Sequence, residues 1–201
     1  IGTNNIDNCA RVCHAPTVAG LAKSFGSGAM TNSFKDFAKA KMIIAIGSNM
    51  TEAHPVAATF VKNAVDDGAE LIVVDPRYTY LAEHAALHVP IKVGSDIAFL
   101  NSLMYVLITE DLHAKEFLNT CCVGFEELKA KVLEYPPERS AEICGISSDM
   151  IRHVAHRLAA VRPGMLIYTL GITEHTCGMN NVLSTANLQM VLGNIGVECS
   201  G

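Results

Sequence analysis

Met42-Ile43-Ile44-Ala45-Ile46-Gly47-Ser48-Asn49 decides the fold: five apolar residues run without a break into a small polar turn. A half-wet strand alternates apolar with polar. An unbroken run of strand length belongs to a strand covered on both faces, as in parallel sheets. Helical periodicity then covers about Ala53 to Asp67, closed by Gly68, before Leu71-Ile72-Val73-Val74 repeats the strand pattern and ends in Asp75-Pro76-Arg77. Strand, helix, strand is a βαβ unit. His88-Val89-Pro90-Ile91 predicts a short third strand, and Pro90 places it at a sheet edge or strand end. Gly94-Ser95-Asp96 opens a helix through Ile108 with Asp96 as N-cap. Residues 113–160 are helical in pieces, broken at Pro136-Pro137 and Gly145, and Ser147-Ser148-Asp149 caps the last piece. Met165-Leu166-Ile167-Tyr168 is a fourth strand, Gly171–Gly178 a loop, and a closing helix covers about Asn180–Leu192, stopped by Gly193. The expected fold over 41–201 is α/β, a mainly parallel sheet with helices on both faces. Residues 1–40 read as loops and short helices wrapping a site, with an apolar patch near Val18–Phe25 and a short helix from Asn32-Ser33 through Ala40.

With 201 residues, half of them hydrophobic, the chain can bury a sizeable core. Its net charge of −5 and pI near 5.9 exclude a general nucleic-acid binder, which needs a basic face. No apolar run approaches the roughly 20 residues that span a bilayer. Seven cysteines, an odd number scattered from Cys9 to Cys199, form no disulfide framework and point to a reducing cytoplasm. The chain opens at Ile1 and stops at Gly201, and both ends read as cuts through a longer protein.

Ligands of parallel sheets bind beyond the carboxyl ends of the strands. Gly47-Ser48-Asn49, Asp75-Pro76-Arg77, Gly94-Ser95-Asp96 and Gly171-Ile172-Thr173-Glu174 fall at such ends or at helix starts. Gly47 lets backbone approach a phosphate, Asp75 stands where a carboxylate accepts from ribose hydroxyls, and Arg77 suits a phosphate. Asp96 can accept from the N1–H and amine of guanine, a pair that adenine does not offer. Taken singly, each cluster is also ordinary turn and capping chemistry. No GxGxxG is present, so a standard NAD fingerprint is not supported.

Cys9-Ala10-Arg11-Val12-Cys13-His14-Ala15-Pro16 sets two thiols four residues apart and an imidazole after the second. A thiolate binds soft, redox-active metals and a His carries protons near neutral pH. The plainer alternative is two buried cysteines beside a solvated His. A structural zinc needs four ligands, and no second compact pair completes one.

This stretch, with Thr17-Val18-Ala19-Gly20-Leu21 and Gly26-Ser27-Gly28-Ala29-Met30-Thr31-Asn32, resembles the active-site segment of molybdopterin-dependent formate dehydrogenases of the H type, in their cysteine variant. The resemblance runs from Ile6 to Gly201. It implies a Rossmann-like domain of the molybdopterin oxidoreductases and reversible oxidation of formate to carbon dioxide. Cys13 then binds molybdenum or tungsten and His14 assists proton transfer. The cofactor implied is a bis(molybdopterin guanine dinucleotide), one half of it held by Gly47, Ser48, Asn49, Glu52, Asp75, Arg77, Gly94, Asp96, Gly171, Thr173 and His175. Glu174 departs from the Gln often found in the family. His54 is expected to be structural or to support the site. Electrons would leave through a 4Fe-4S cluster bound outside these residues, toward an iron–sulfur subunit, a hydrogenase or a ferredoxin. The Arg that orients formate would lie beyond Gly201. The rivals are another molybdopterin enzyme with a Cys ligand, such as a nitrate reductase, and a non-catalytic scaffold like the large iron–sulfur subunit of respiratory complex I. His14 directly after Cys13 favours formate.

Overall fold

All five side chains of β1 (Met42–Ile46) are buried, which is why the run carries no polar residue. In the computed structural model, which describes residues 1–201, β1 lies in the middle of a four-stranded parallel sheet with β2 (Glu70–Val74), β3 (Leu87–Val89) and β4 (Gly164–Tyr168), in the order β3-β2-β1-β4. Met42 pairs with Glu70 on one side and Gly164 on the other, and the register continues to Ile46 opposite Val74 and Tyr168. The expected α/β fold is therefore present.

Alternate side chains serve two cores. Met42, Ile44, Ile46, Ile72 and Val74 point into one layer with α6 (Asp96–Thr109), α10 (Ser148–Ala160) and α12 (Gly178–Leu192). Ile43, Ala45, Leu71, Val73 and Met165 point into the other, with α5 (Pro55–Asp66) and Phe37 of α3 (Phe34–Phe37). Helix α6 has 11 buried residues out of 14, so it is buried nearly all round rather than amphipathic. Shorter helices α7 (Lys115–Cys121), α8 (Phe125–Val132) and α9 (Pro137–Cys144) fill the stretch between α6 and α10. At the start of the chain, α1 (Ala10–Cys13) and α2 (Ala15–Phe25) meet at His14.

Several local expectations change. The helix expected over Ala53–Asp67 is two: α4 (Met50–Ala53) ends before His54, and α5 begins at Pro55. A residue before proline is driven out of the α region, and His54 has φ −140°, ψ 58°. Asp96 is not an N-cap but the first residue of α6, after Ser95, where a carboxylate still favours the helix's positive end. The helix after Ser33 stops at Phe37 rather than Ala40; Ser33 and Asp36 form a capping box. The expected Gly171–Gly178 loop contains a helical turn, α11 (Leu170–Thr173), and α12 starts at Gly178. Strand β3 ends before Pro90, at the sheet edge where that proline was expected. Ser147 does cap α10, its Oγ accepting from the Met150 N–H at 3.1 Å.

Candidate active site at the carboxyl edge of the sheet

Strand order reverses between β1 and β4, since β2 and β3 extend from one side of β1 and β4 from the other. Connections diverge at such a point and leave a crevice. The two loops that leave it touch through glycines. Gly171 N–H donates to Gly47 O at 3.0 Å, and Thr169 Oγ1 donates to the same carbonyl at 2.9 Å. A Cβ on Gly171 would lie 2.5 Å from Gly47 Cα, and one on Gly47 would lie 2.8 Å from Gly171 Cα. Gly47 also has φ +57°. Only glycine at both positions lets the backbones close this far.

Beside that contact lies a cavity of about 350 Å³. It gathers residues from all four strand ends: Gly47 and Asn49 after β1, Asp75 and Arg77 after β2, Gly94 and Asp96 after β3, Gly171 and His175 after β4. Asp75 is buried; its Oδ1 accepts from the Arg77 N–H at 2.9 Å and lies 4.0 Å from the guanidinium. Arg77 is otherwise exposed, so its charge is available to an anion. Asp96 is also buried, and desolvation raises its pKa against the opposing effects of its own backbone N–H and of His175. His175 Nε2 sits 2.8 Å from Gly171 O and 3.9 Å from Asp96 Oδ2. Bonding to a carbonyl makes Nε2 the donor and leaves Nδ1 as an acceptor.

Three of the residues nominated for the dinucleotide do not line this cavity. Ser48 is buried and its Oγ has no hydrogen-bond partner. Glu52 is exposed on α4. Thr173, also buried, donates through Oγ1 to the Cys13 carbonyl at 2.6 Å. Conversely, Lys92 lines the cavity and was not anticipated. The signal lay in its position, a cation two residues before the Gly94 turn.

Cys13 ends α1 with its side chain partly buried, and His14 occupies the joint before α2, which Pro16 helps to start. His14 Nδ1 lies 3.1 Å from Thr17 Oγ1, which accepts from Tyr168 Oη at 3.1 Å. Burial pushes the Tyr168 hydroxyl's pKa up and the Thr17 bond partly offsets this, so the phenol stays protonated at neutral pH. His14, Thr17 and Tyr168 line a second, mainly apolar cavity of about 440 Å³, and His54 and Thr169 border both cavities. Cys9, by contrast, is exposed rather than packed. No group of three or more His, Cys, Asp or Glu side chains gathers to hold a metal.

The family model for molybdopterin oxidoreductases matches residues 1–201. Among curated relatives, the F420-dependent formate dehydrogenase 1 subunit alpha of Methanococcus maripaludis is 43% identical over 201 residues, covering all of this chain and 30% of that protein. Formate dehydrogenase H of Escherichia coli is 39% identical over 201 residues, again the whole chain, and 28% of the relative. The chain therefore spans less than a third of the length of these relatives. Among solved structures, acetylene hydratase from Pelobacter acetylenicus superposes with a TM-score of 0.82 at 30% identity, over 92% of this chain and 25% of the other. One of these names is a hydratase, so the fold alone does not fix the reaction. A match along the entire chain, joined to a crevice at the strand-order reversal, establishes that the chain belongs to the molybdopterin oxidoreductase family.

Proposed function

We propose that these residues are the metal-ligating and dinucleotide-binding part of a formate dehydrogenase catalytic subunit, which oxidises formate reversibly to carbon dioxide. The observation that carries the reading is the bond from Thr173 to the Cys13 carbonyl, which ties the Cys13-His14 pair to the turn after β4 whose Gly171 and His175 line a cavity with Asp75, Arg77, Gly94 and Asp96. The cofactor it calls for is molybdenum or tungsten in a bis(molybdopterin guanine dinucleotide). The cavity's chemistry fits one dinucleotide arm: two cations for phosphates, Arg77 and Lys92, and two buried carboxylates for ribose and base, Asp75 and Asp96. Gly94, with φ +83° and open space around its α-carbon, lets a ligand approach the backbone.

When bound, the cofactor accepts the two electrons of formate oxidation. The chain's own residues do the rest. Cys13 supplies the single protein sulfur. His14 shares its Nδ1 with Thr17 in a hydrogen bond, and its Nε2 is the ring nitrogen left to accept the proton released with the electrons. Tyr168, donating to the same Thr17 oxygen, holds that arrangement in place. Electrons would continue to a 4Fe-4S cluster held outside these residues and to a redox partner such as an iron–sulfur subunit, a hydrogenase or a ferredoxin. We place the enzyme in the cytoplasm, in keeping with its seven free cysteines.

Asp96 tests the dinucleotide assignment. Asp96→Asn keeps the shape but turns a donor toward the guanine amine, leaving both unpaired at about 1–3 kcal/mol. Guanine nucleotide released by acid from the purified complete subunit should fall about tenfold or more in the variant. Acidification should act in the same direction. A carboxylate with a raised pKa takes up its proton above the usual carboxylate range, so affinity should begin to fall at a pH where an ordinary Asp would remain charged. Full nucleotide content in Asp96→Asn would remove this assignment.

A further inference from the structure

We propose that Thr173 is a positioning residue for Cys13: its hydroxyl fixes the carbonyl of the metal-ligating residue and so sets where the thiol is presented. The inference rests on the reading of Cys13 as metal ligand. Helix α1 needs such a tether. It is four residues long, too short to be stable alone, and none of its residues is buried. Its Arg11–Asp7 contacts are local and exposed. The side-chain bond that joins it to the body of the sheet is Thr173 Oγ1 to Cys13 O, 2.6 Å long and spanning 160 positions of sequence.

The donor is itself held from several sides. Thr173 is 1% exposed. Gly171, two residues before it, is bonded to Gly47, and Asn181 Nδ2 donates to Ile172 O at 2.9 Å. Gly178 seats the start of α12 against the Thr173 carbonyl so closely that a Cβ there would lie 2.1 Å from that oxygen. The hydroxyl therefore reaches Cys13 from a rigid turn that also borders the dinucleotide cavity through Gly171 and His175. One short turn thus faces the cavity with one end and the thiol-bearing helix with the other.

The test uses the complete, cofactor-loaded subunit with Thr173→Val, which keeps the shape but loses the donor, and Thr173→Ser, which keeps the donor. Nucleotide content is measured in each, with formate kinetics and iodoacetamide labelling of Cys13 followed by peptide mass spectrometry. Thr173→Val should retain its nucleotide, label Cys13 about tenfold faster and lose kcat about tenfold at unchanged KM, as expected for one lost buried hydrogen bond. Thr173→Ser should match the wild type. Thr173→Ala loses the same donor and gives the same reading should the valine variant not fold. Wild-type labelling and kcat in Thr173→Val would overturn the inference, as would equal defects in Thr173→Ser. Loss of nucleotide with Cys13 still protected would make Thr173 a cofactor contact instead. An inactive Cys13→Ser beside a wild-type-like Thr173→Val would sink this inference alone, whereas an active Cys13→Ser would sink the reading beneath it.

Discussion

Cys13→Ser is expected to reduce formate turnover in the complete subunit to background. A serine oxygen is a harder ligand than a thiolate, and exchanging one for the other changes both the electronics and the lability of the metal. Two companion variants separate the ligand from its neighbours. His14→Ala should leave metal content intact and slow turnover roughly 10²–10⁴-fold, the usual worth of a placed acid–base group. Cys9→Ser should change little, because Cys9 is exposed one helical turn away. Metal content and formate oxidation, measured side by side for all three, check the set. Equal losses in Cys9→Ser and Cys13→Ser would point to a paired-thiol site instead.

The second large effect is expected from a single methyl group. In Gly171→Ala the new Cβ would lie 2.5 Å from Gly47 Cα and 2.7 Å from Gly47 O. Both are backbone atoms, so no flexible side chain can swing away. The β1 and β4 loops must separate, breaking the Gly171 N–H and Thr169 Oγ1 bonds to Gly47 O. Overpacking of this kind costs about 3 kcal/mol or more. The separation falls at the crevice itself, so dinucleotide content should drop at least about tenfold, even where the protein still folds. Gly68→Ala is the control for a strained backbone without overpacking: Gly68 has a positive φ of +93°, which Gly171 does not share, and nothing within 4 Å of the added carbon. It should show only a backbone cost of about 1 kcal/mol and retain its nucleotide. Full retention in Gly171→Ala would mean that the loop contact does not shape the site.

These two residues also show what a sequence can carry. The strands were legible because Met42–Ile46 and Leu71–Val74 are buried on both faces, and burial of that kind admits no polar residue. The cavity was legible for a related reason: parallel strands bring their carboxyl ends together, so Asn49, Asp75, Asp96 and His175 meet once the sheet forms. Local geometry was harder. The Pro55 break depends on a steric clash that helical periodicity masks, and α11 is a single turn with no periodicity to read. Long-range side-chain bonds were not legible at all. Thr173 sits in a motif next to Gly171, and nothing in its spacing shows that its hydroxyl meets a carbonyl 160 positions away. The same holds for Tyr168, which reads as one more strand residue until its hydroxyl is found on Thr17. Lys92 was passed over because it lies outside the Gly94-Ser95-Asp96 turn it accompanies.

The central claim is that the Cys13-His14 site takes electrons from formate. The direct measurement is reduction of a viologen dye by the purified, cofactor-loaded complete subunit, with formate as sole donor, set against oxidation of the reduced dye by nitrate. Formate-dependent dye reduction that disappears in Cys13→Ser is expected, with no oxidation of reduced dye by nitrate. Nitrate-dependent oxidation without any response to formate would contradict the claim.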